Sequence, residues 1–237
     1  MLGVEPRPIP AYNSCGLGLM EDFGALAAEA ETLLSGGFRA VELRLGCPTL
    51  ERDIAAVRAV RKRIGDTVHL MVDYDQALSV DEAMARGPLW MRKIFIGWRS
   101  RSATTTIPVP PRWRALKVPI QIGENFSLPA ATVIAIEQGA ADYVMPDLER
   151  IGGVTGWRQA AELTAINRVQ MSSHLFPEVS AHLLAATPTC HFLEYVVWAN
   201  VLVQEPLVIA DGHAVVPQRP GNGMVWDRQA FERYRMR

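Results

Sequence analysis

The chain is 237 residues long and 49% hydrophobic, with 24 basic and 25 acidic residues and a formal charge of −1. That length is enough to bury one substantial core. The near-neutral balance gives no reason to expect nucleic acid or an anionic membrane as partner, and no apolar run approaches the roughly 20 residues that cross a bilayer.

In chain order, a strand is expected at Ile9–Asn13, a helix over 21–35, a strand at 40–45 and a helix over Leu50–Ile64. The second helix is the clearest, because Ile54, Val57, Val60 and Ile64 recur at helical spacing with Arg58, Arg61 and Lys62 on the wet side. Further strands are expected at His69–Asp73, 118–123, 143–145, 169–172 and 191–196, with helices over 129–138, 157–165 and 178–185. One more strand after residue 83 brings the count to eight, and a (β/α)₈ barrel is the simplest closure of that alternation. Cys15, Cys47 and Cys190 are widely spaced without a CxxC pair, and the N-terminus lacks the basic-then-apolar layout of a secretory signal. Free thiols in a soluble cytoplasmic protein are the expectation.

In such a barrel the chemistry lies where the strands end. The polar residues at those points are Glu42 and Arg44, Asp73 and Asp75, Glu124 and Asn125, Asp147, His174, and Glu194. Taken singly, each acid reads as a helix N-cap and the histidine as a structural residue. Taken together, they direct acids, a base and a cation into one mouth. Crowded carboxylates repel each other unless a cation neutralises them, and hard oxygen ligands select Mg²⁺ or Ca²⁺.

Three stretches carry a resemblance. Gly37-Phe38-Arg39-Ala40-Val41 with Met71-Val72-Asp73-Tyr74-Asp75-Gln76 resembles barrel strands two and three of the mandelate racemase and muconate lactonizing enzyme family of the enolase superfamily. Val118-Pro119-Ile120-Gln121-Ile122-Gly123-Glu124-Asn125 resembles the fifth strand, and the run from Met145-Pro146-Asp147 through Ser172-Ser173-His174 to Leu193-Glu194 resembles the sixth to eighth. The similarity spans nearly the whole chain except residues 85–114.

The resemblance implies a C-terminal barrel domain that removes the proton α to a carboxylate with the help of Mg²⁺. By position, Asp73 and Glu124 match two of three metal carboxylates, His174 the base, Asp147 the aspartate that orients it, and Glu194 the acid that donates to the substrate carboxylate. Asp75, Asn125 and Glu42 fall among the substrate-contacting positions. The implied partner is a small 2-hydroxy acid or sugar acid, with homo-oligomerisation left open. Where the family carries Lys-x-Lys on the second strand, this chain has Glu42 and Arg44. An arginine is a poor base at neutral pH but can clamp a carboxylate. Glu42 sets an anion where an anionic substrate belongs and is expected to repel it. One base suffices for a dehydratase, whereas a racemase needs one on each face of the carbon.

Two further departures are expected. The family's N-terminal capping domain is not seen, so the tail over 207–237 is expected to lack its packing partner. Residues 83–123 contain no acid but eight basic residues. Shifting the reading frame turns Trp98-Arg99-Ser100-Arg101-Ser102 into Val-Glu-Ile-Glu-Glu under one codon choice, close to the family's fourth strand and its third metal carboxylate. Two compensating frameshifts spanning 87–114 are therefore inferred, leaving the fourth βα unit disrupted. Two descriptions remain: an impaired Mg²⁺-dependent racemase or dehydratase, and a catalytically inactive degenerate barrel fragment. A nucleic-acid module resting on the basic, tryptophan-rich stretch is the weakest alternative.

Overall fold

The computed structural model describes residues 2–75, 77–86, 94–97 and 118–235. Among the described residues, eight strands run in parallel, with helices in the connections, and the connection between the fourth and fifth lies outside those residues. They are β1 (Ile9–Asn13), β2 (Ala40–Arg44), β3 (His69–Asp73), β4 (Ile94–Gly97), β5 (Ile120–Ile122), β6 (Tyr143–Val144), β7 (Gln170–Met171) and β8 (Leu193–Tyr195). The helices are α1 (Phe23–Leu33), α2 (Leu50–Ile64), α3 (Val80–Arg86), α4 (Leu128–Glu137), α5 (Gly153–Asn167) and α6 (Pro177–Ala185), with a terminal α7 (Arg228–Tyr234).

Each of β1 to β6 pairs in parallel with the next, and β8 pairs in parallel with β1. The gap between β7 and β8 is bridged just before β8. There the Met171 N–H donates to Thr189, the His191 N–H to Met171 and the Ser173 N–H to Phe192. The hydrogen bonds thus run around the whole set of strands.

Helix boundaries follow local chemistry. Asp22 caps α1 by accepting the Gly24 and Ala25 N–H groups at 2.7 and 3.1 Å. On α2, Thr49 is the N-cap, Glu51 and Asp53 sit in the first turn and Arg61, Lys62 and Arg63 in the last, each complementing the helix dipole. Gly65, at φ 73°, then stops the helix. α5 needs Gly156, since a Cβ there would lie 1.8 Å from the Ile151 carbonyl oxygen.

Strand alternation separates two cores. Val41, Leu43, Leu70, Val72 and Leu193 face the helices in the main hydrophobic cluster. Tyr12, Ala40 and Met71, with Phe192 against them, form a second cluster on the opposite, inner face.

The one further strand expected after residue 83 forms at Ile94–Gly97. It pairs with β3 from Leu70↔Ile94 to Asp73↔Gly97 and with β5 at Ile96↔Ile120. Ile-Phe-Ile is a strand-forming run. The other residues of 87–117 lie outside the described residues. The helix α3 was not expected at all. Lastly, part of the tail does find a partner: β9 (Ile209–Ala210) and β10 (His213–Ala214) form a hairpin, and β10 pairs antiparallel with the start of β1 through Ile9↔Ala214. Leu207, Ala214 and Val216 are buried there. No helix among the described residues is long and apolar enough to cross a membrane.

Candidate active site

The inner-face positions that alternation selects change character along each strand. Ala40 is followed by Glu42 and Arg44, Met71 by Asp73, Phe192 by Glu194, Ser172 by His174, and Met145 by Asp147. Apolar or neutral side chains fill one end and ionisable ones the other, at the C-terminal ends of the strands. Register then fixes neighbours: Arg44 lies opposite Asp73, and Asp147 bridges His174. Parallel strands place such partners side by side, which brings together residues far apart in sequence.

His174 is 6% exposed, hydrogen-bonded at Nδ1 and facing a carboxylate with Nε2. Its Nδ1 is 2.9 Å from Asp147 Oδ2, and its Nε2 is 3.3 Å from Glu124 Oε2. A carboxylate can only accept at Nδ1, so the proton sits there and Nε2 faces Glu124. Asp147 is itself pinned, its Oδ1 accepting the Glu149 and Arg150 N–H groups at 2.9 and 3.1 Å. Burial pushes the Asp147 carboxyl up, but the His174 and backbone hydrogen bonds, with the imidazole's charge, outweigh it and hold the pKa below the ordinary range.

Glu124 is aimed by the turn at Gly123, where φ is 137° and a Cβ would meet the Met145 nitrogen at 2.8 Å. Asn125 donates to Glu124 at 2.8 Å and accepts from Arg150. Glu194, 1% exposed, accepts the Leu175 N–H at 2.7 Å. Leu175 and Phe176 both have positive φ, 51° and 47°, so the loop after His174 is strained in order to present that N–H.

On the other side, Arg44 NH1 lies 2.9 Å from Glu42 Oε2, and its Nε lies 3.9 Å from Asp73 Oδ2. The Ser14 hydroxyl donates to Glu42 at 2.9 Å and accepts from Arg44 NH2 at 3.0 Å. Ser14 was not singled out in the sequence, where a serine after a strand carries no signal. Glu42 is buried beside Arg44. Asp75 differs from the rest in being exposed, and its backbone N–H donates to Asp73 Oδ1 at 2.9 Å. The thiol of Cys15, raised mainly by burial, is influenced by both Glu194 and Arg44, so it lies at the same end of the strands.

Asp73 and Glu124 are 0% and 5% exposed carboxylates at the ends of β3 and β5. Buried anions demand compensation, and hard oxygen donors suit Mg²⁺. The donor chemistry fits part of such a site. Among the described residues no group of three His, Cys, Asp or Glu side chains is arranged to hold a metal.

The profile of the enolase C-terminal domain-like family matches residues 25–230. A 3,6-anhydro-alpha-L-galactonate cycloisomerase from Streptomyces coelicolor is 31% identical over 98% of this chain and 63% of its own length. An L-talarate/galactarate dehydratase from Salmonella typhimurium is 27% identical over 97% of the chain and 58% of its own length. A crystal structure of an enolase from Bradyrhizobium complexed with magnesium and mandelic acid superposes with a TM-score of 0.85 at 35% identity, covering 100% of this chain and 65% of that one. The chain thus spans less than two thirds of each of these relatives.

Proposed function

The chain belongs to the enolase C-terminal domain-like family, and from that premise we propose that it is the catalytic (β/α)₈ barrel of a Mg²⁺-dependent enzyme. The reaction removes the proton α to the carboxylate of a 2-hydroxy acid or sugar acid, as a racemase or an acid-sugar dehydratase. The observation that carries this proposal is His174, buried, fixed by Asp147 through Nδ1 and presenting Nε2 beside Glu124.

A carbon acid next to a carboxylate is too weak for an unaided imidazole. Asp73 and Glu124 would hold Mg²⁺, and the bound ion would supply positive charge to stabilise an enediolate. His174 takes the proton on Nε2. Asp147 keeps the ring in one tautomer and stabilises the imidazolium that results. Glu194, fixed by the Leu175 N–H, donates to the substrate carboxylate when protonated. Arg44 supplies a cation on the face opposite His174 and, always charged near neutrality, accepts no proton. One base and one fixed cation favour dehydration over racemisation.

The test is α-proton exchange of mandelate and galactarate followed by NMR in deuterated buffer with Mg²⁺. Exchange is expected in the wild type, abolished in His174→Asn and reduced by about 10²-fold or more in Asp147→Asn. Undiminished exchange in His174→Asn would sink the assignment.

A second reading, a degenerate barrel with weak metal binding, is favoured by one observation: residues 83–123 contain no acidic side chain. That stretch therefore offers no third carboxylate, and two alone hold a strongly hydrated ion poorly. Absence of exchange in the wild type, with millimolar or weaker Mg²⁺ binding by calorimetry, is its expected outcome.

A further inference from the structure

We propose that Arg150 is a positioning residue: it fixes the side-chain amide of Asn125, so that Glu124 meets an N–H donor there and not a carbonyl oxygen. The consequence for metal binding rests on Glu124 being a metal ligand, as proposed above, whereas the fixing of the amide does not.

Glu124 and Asn125 are the two central residues of the turn that ends β5, closed by the Phe126 N–H donating to the Gly123 carbonyl at 2.9 Å. Their side chains meet, with Asn125 Nδ2 2.8 Å from Glu124 Oε1. A primary amide has a donor end and an acceptor end of nearly the same shape, so a turn alone leaves both orientations open. With the amide reversed, a carbonyl oxygen would face a carboxylate oxygen at contact distance, and the two would repel. The neighbouring loop decides between them. Arg150 NH1 donates to Asn125 Oδ1. A guanidinium has no acceptor, so the amide atom it touches must be the oxygen, and the N–H end is turned to Glu124. A charge-assisted bond of this kind is about twice as strong as one between neutral groups.

The main chain of Arg150 is held on both sides. Its N–H donates to Asp147 Oδ1 at 3.1 Å, and its carbonyl accepts the Leu128 N–H at 3.1 Å. The residue that fixes Asn125 is thus anchored on the aspartate that orients His174, and the loops after β5 and β6 are joined at the mouth. Glu124 has further partners, His174 facing it among them, and the amide governs only Oε1. A reversed amide would push that oxygen away and shift the carboxylate that is to hold the ion.

The experiment reads the amide itself, through the Asn125 side-chain NH₂ signals of ¹⁵N-labelled protein, assigned by their loss in Asn125→Ala. It also reads metal binding, through electron paramagnetic resonance of free Mn²⁺. In the wild type these amide protons are expected to exchange with solvent about tenfold more slowly than exposed asparagine amides. Arg150→Met is expected to bring them to the exposed rate and to weaken Mn²⁺ binding about tenfold. Arg150→Lys, which keeps a cationic donor, is expected to stay within about threefold of the wild type in both. In an Asn125→Ala background, Arg150→Met is expected to change Mn²⁺ affinity by less than about twofold, since no amide is left to orient. A further loss of about tenfold in that background would mean that Arg150 acts by another route, and it overturns the proposal. Unchanged Asn125 signals in Arg150→Met overturn it as well. Glu124→Gln is the control for the metal site. If it binds Mn²⁺ as the wild type does, the ligand assignment fails, while the amide signals still decide the role of Arg150. Should Arg150→Met lose its helical circular dichroism, Arg150→Gln, too short to reach Asn125, makes the same comparison.

Discussion

At Gly123 a single residue decides where Glu124 points. The φ of 137° is open only to glycine, and the space a Cβ would need is taken by the Met145 backbone. Gly123→Ala is expected to cost about 2 kcal/mol or more in urea unfolding and to misplace Glu124, weakening Mn²⁺ binding as well. Loss of stability without loss of metal binding would show that the turn does not aim the ligand. At this scale the sequence was partly legible. Asp73, Glu124, Asp147, His174 and Glu194 could be named because strand ends in a parallel α/β fold converge. Glu42 was weighed alone, whereas two residues apart on one strand Glu42 and Arg44 share a face and form an ion pair. Neither the Leu175 N–H nor the Ser14 hydroxyl was foreseeable, since a backbone donor and a loop serine acquire a role only from the partner that folding brings to them.

Among the elements, α2 and α3 are joined by a buried ion pair. Asp53, 0% exposed, meets Arg86 NH1 at 2.8 Å and also accepts the Gly46 and Cys47 N–H groups. Arg86→Met leaves the carboxylate buried without its cation, and a loss of about 3 kcal/mol is expected in denaturant unfolding. A loss under 1 kcal/mol would mean that the two backbone donors suffice. Across β6, β7 and the lead into β8, His191 stacks on Tyr143 with centroids 4.3 Å apart, and its Nδ1 lies 3.1 Å from Ser172 Oγ. Ser172 donates its own proton to Gln121 at 2.9 Å, so at the Ser172 contact Nδ1–H is the donor. Burial, with repulsion from His69, pushes the His191 pKa down from 6.5 to about 4. The unfolded chain therefore binds this proton more readily than the folded one. The resulting stability is complete above pH 6.5, falls as pH drops from there to about 4 and is level below. The total is roughly 3 kcal/mol. His191→Gln should flatten that slope in urea midpoints measured from pH 7 to 4, and an unchanged slope would assign the acid sensitivity to other groups. Of these elements α2 was fully legible, because its apolar period, N-cap and terminal charges agree. α3 and the two-residue β9 and β10 were not, because strands and helices that short carry no period and are fixed by what they dock on.

Over the whole molecule, the same alternation that buries Val41, Leu43, Leu70 and Val72 under the helices turns Glu42, Arg44, Asp73, His174 and Glu194 inward. Core and site are thus two faces of the same strands. The α/β fold class was legible from that pattern, whereas the fourth strand was expected after residue 83 without bounds, because a four-residue run carries too little period to place it. The central claim is that proton abstraction has one base, His174, with Arg44 on the opposite face as a fixed cation. Its most direct test is enantiomer-resolved α-deuterium exchange, incubating each enantiomer of mandelate separately with the Mg²⁺-loaded protein in deuterated buffer. Incorporation into one enantiomer only, with no inversion, is the predicted result. Comparable incorporation into both, with Arg44 in place, would contradict it.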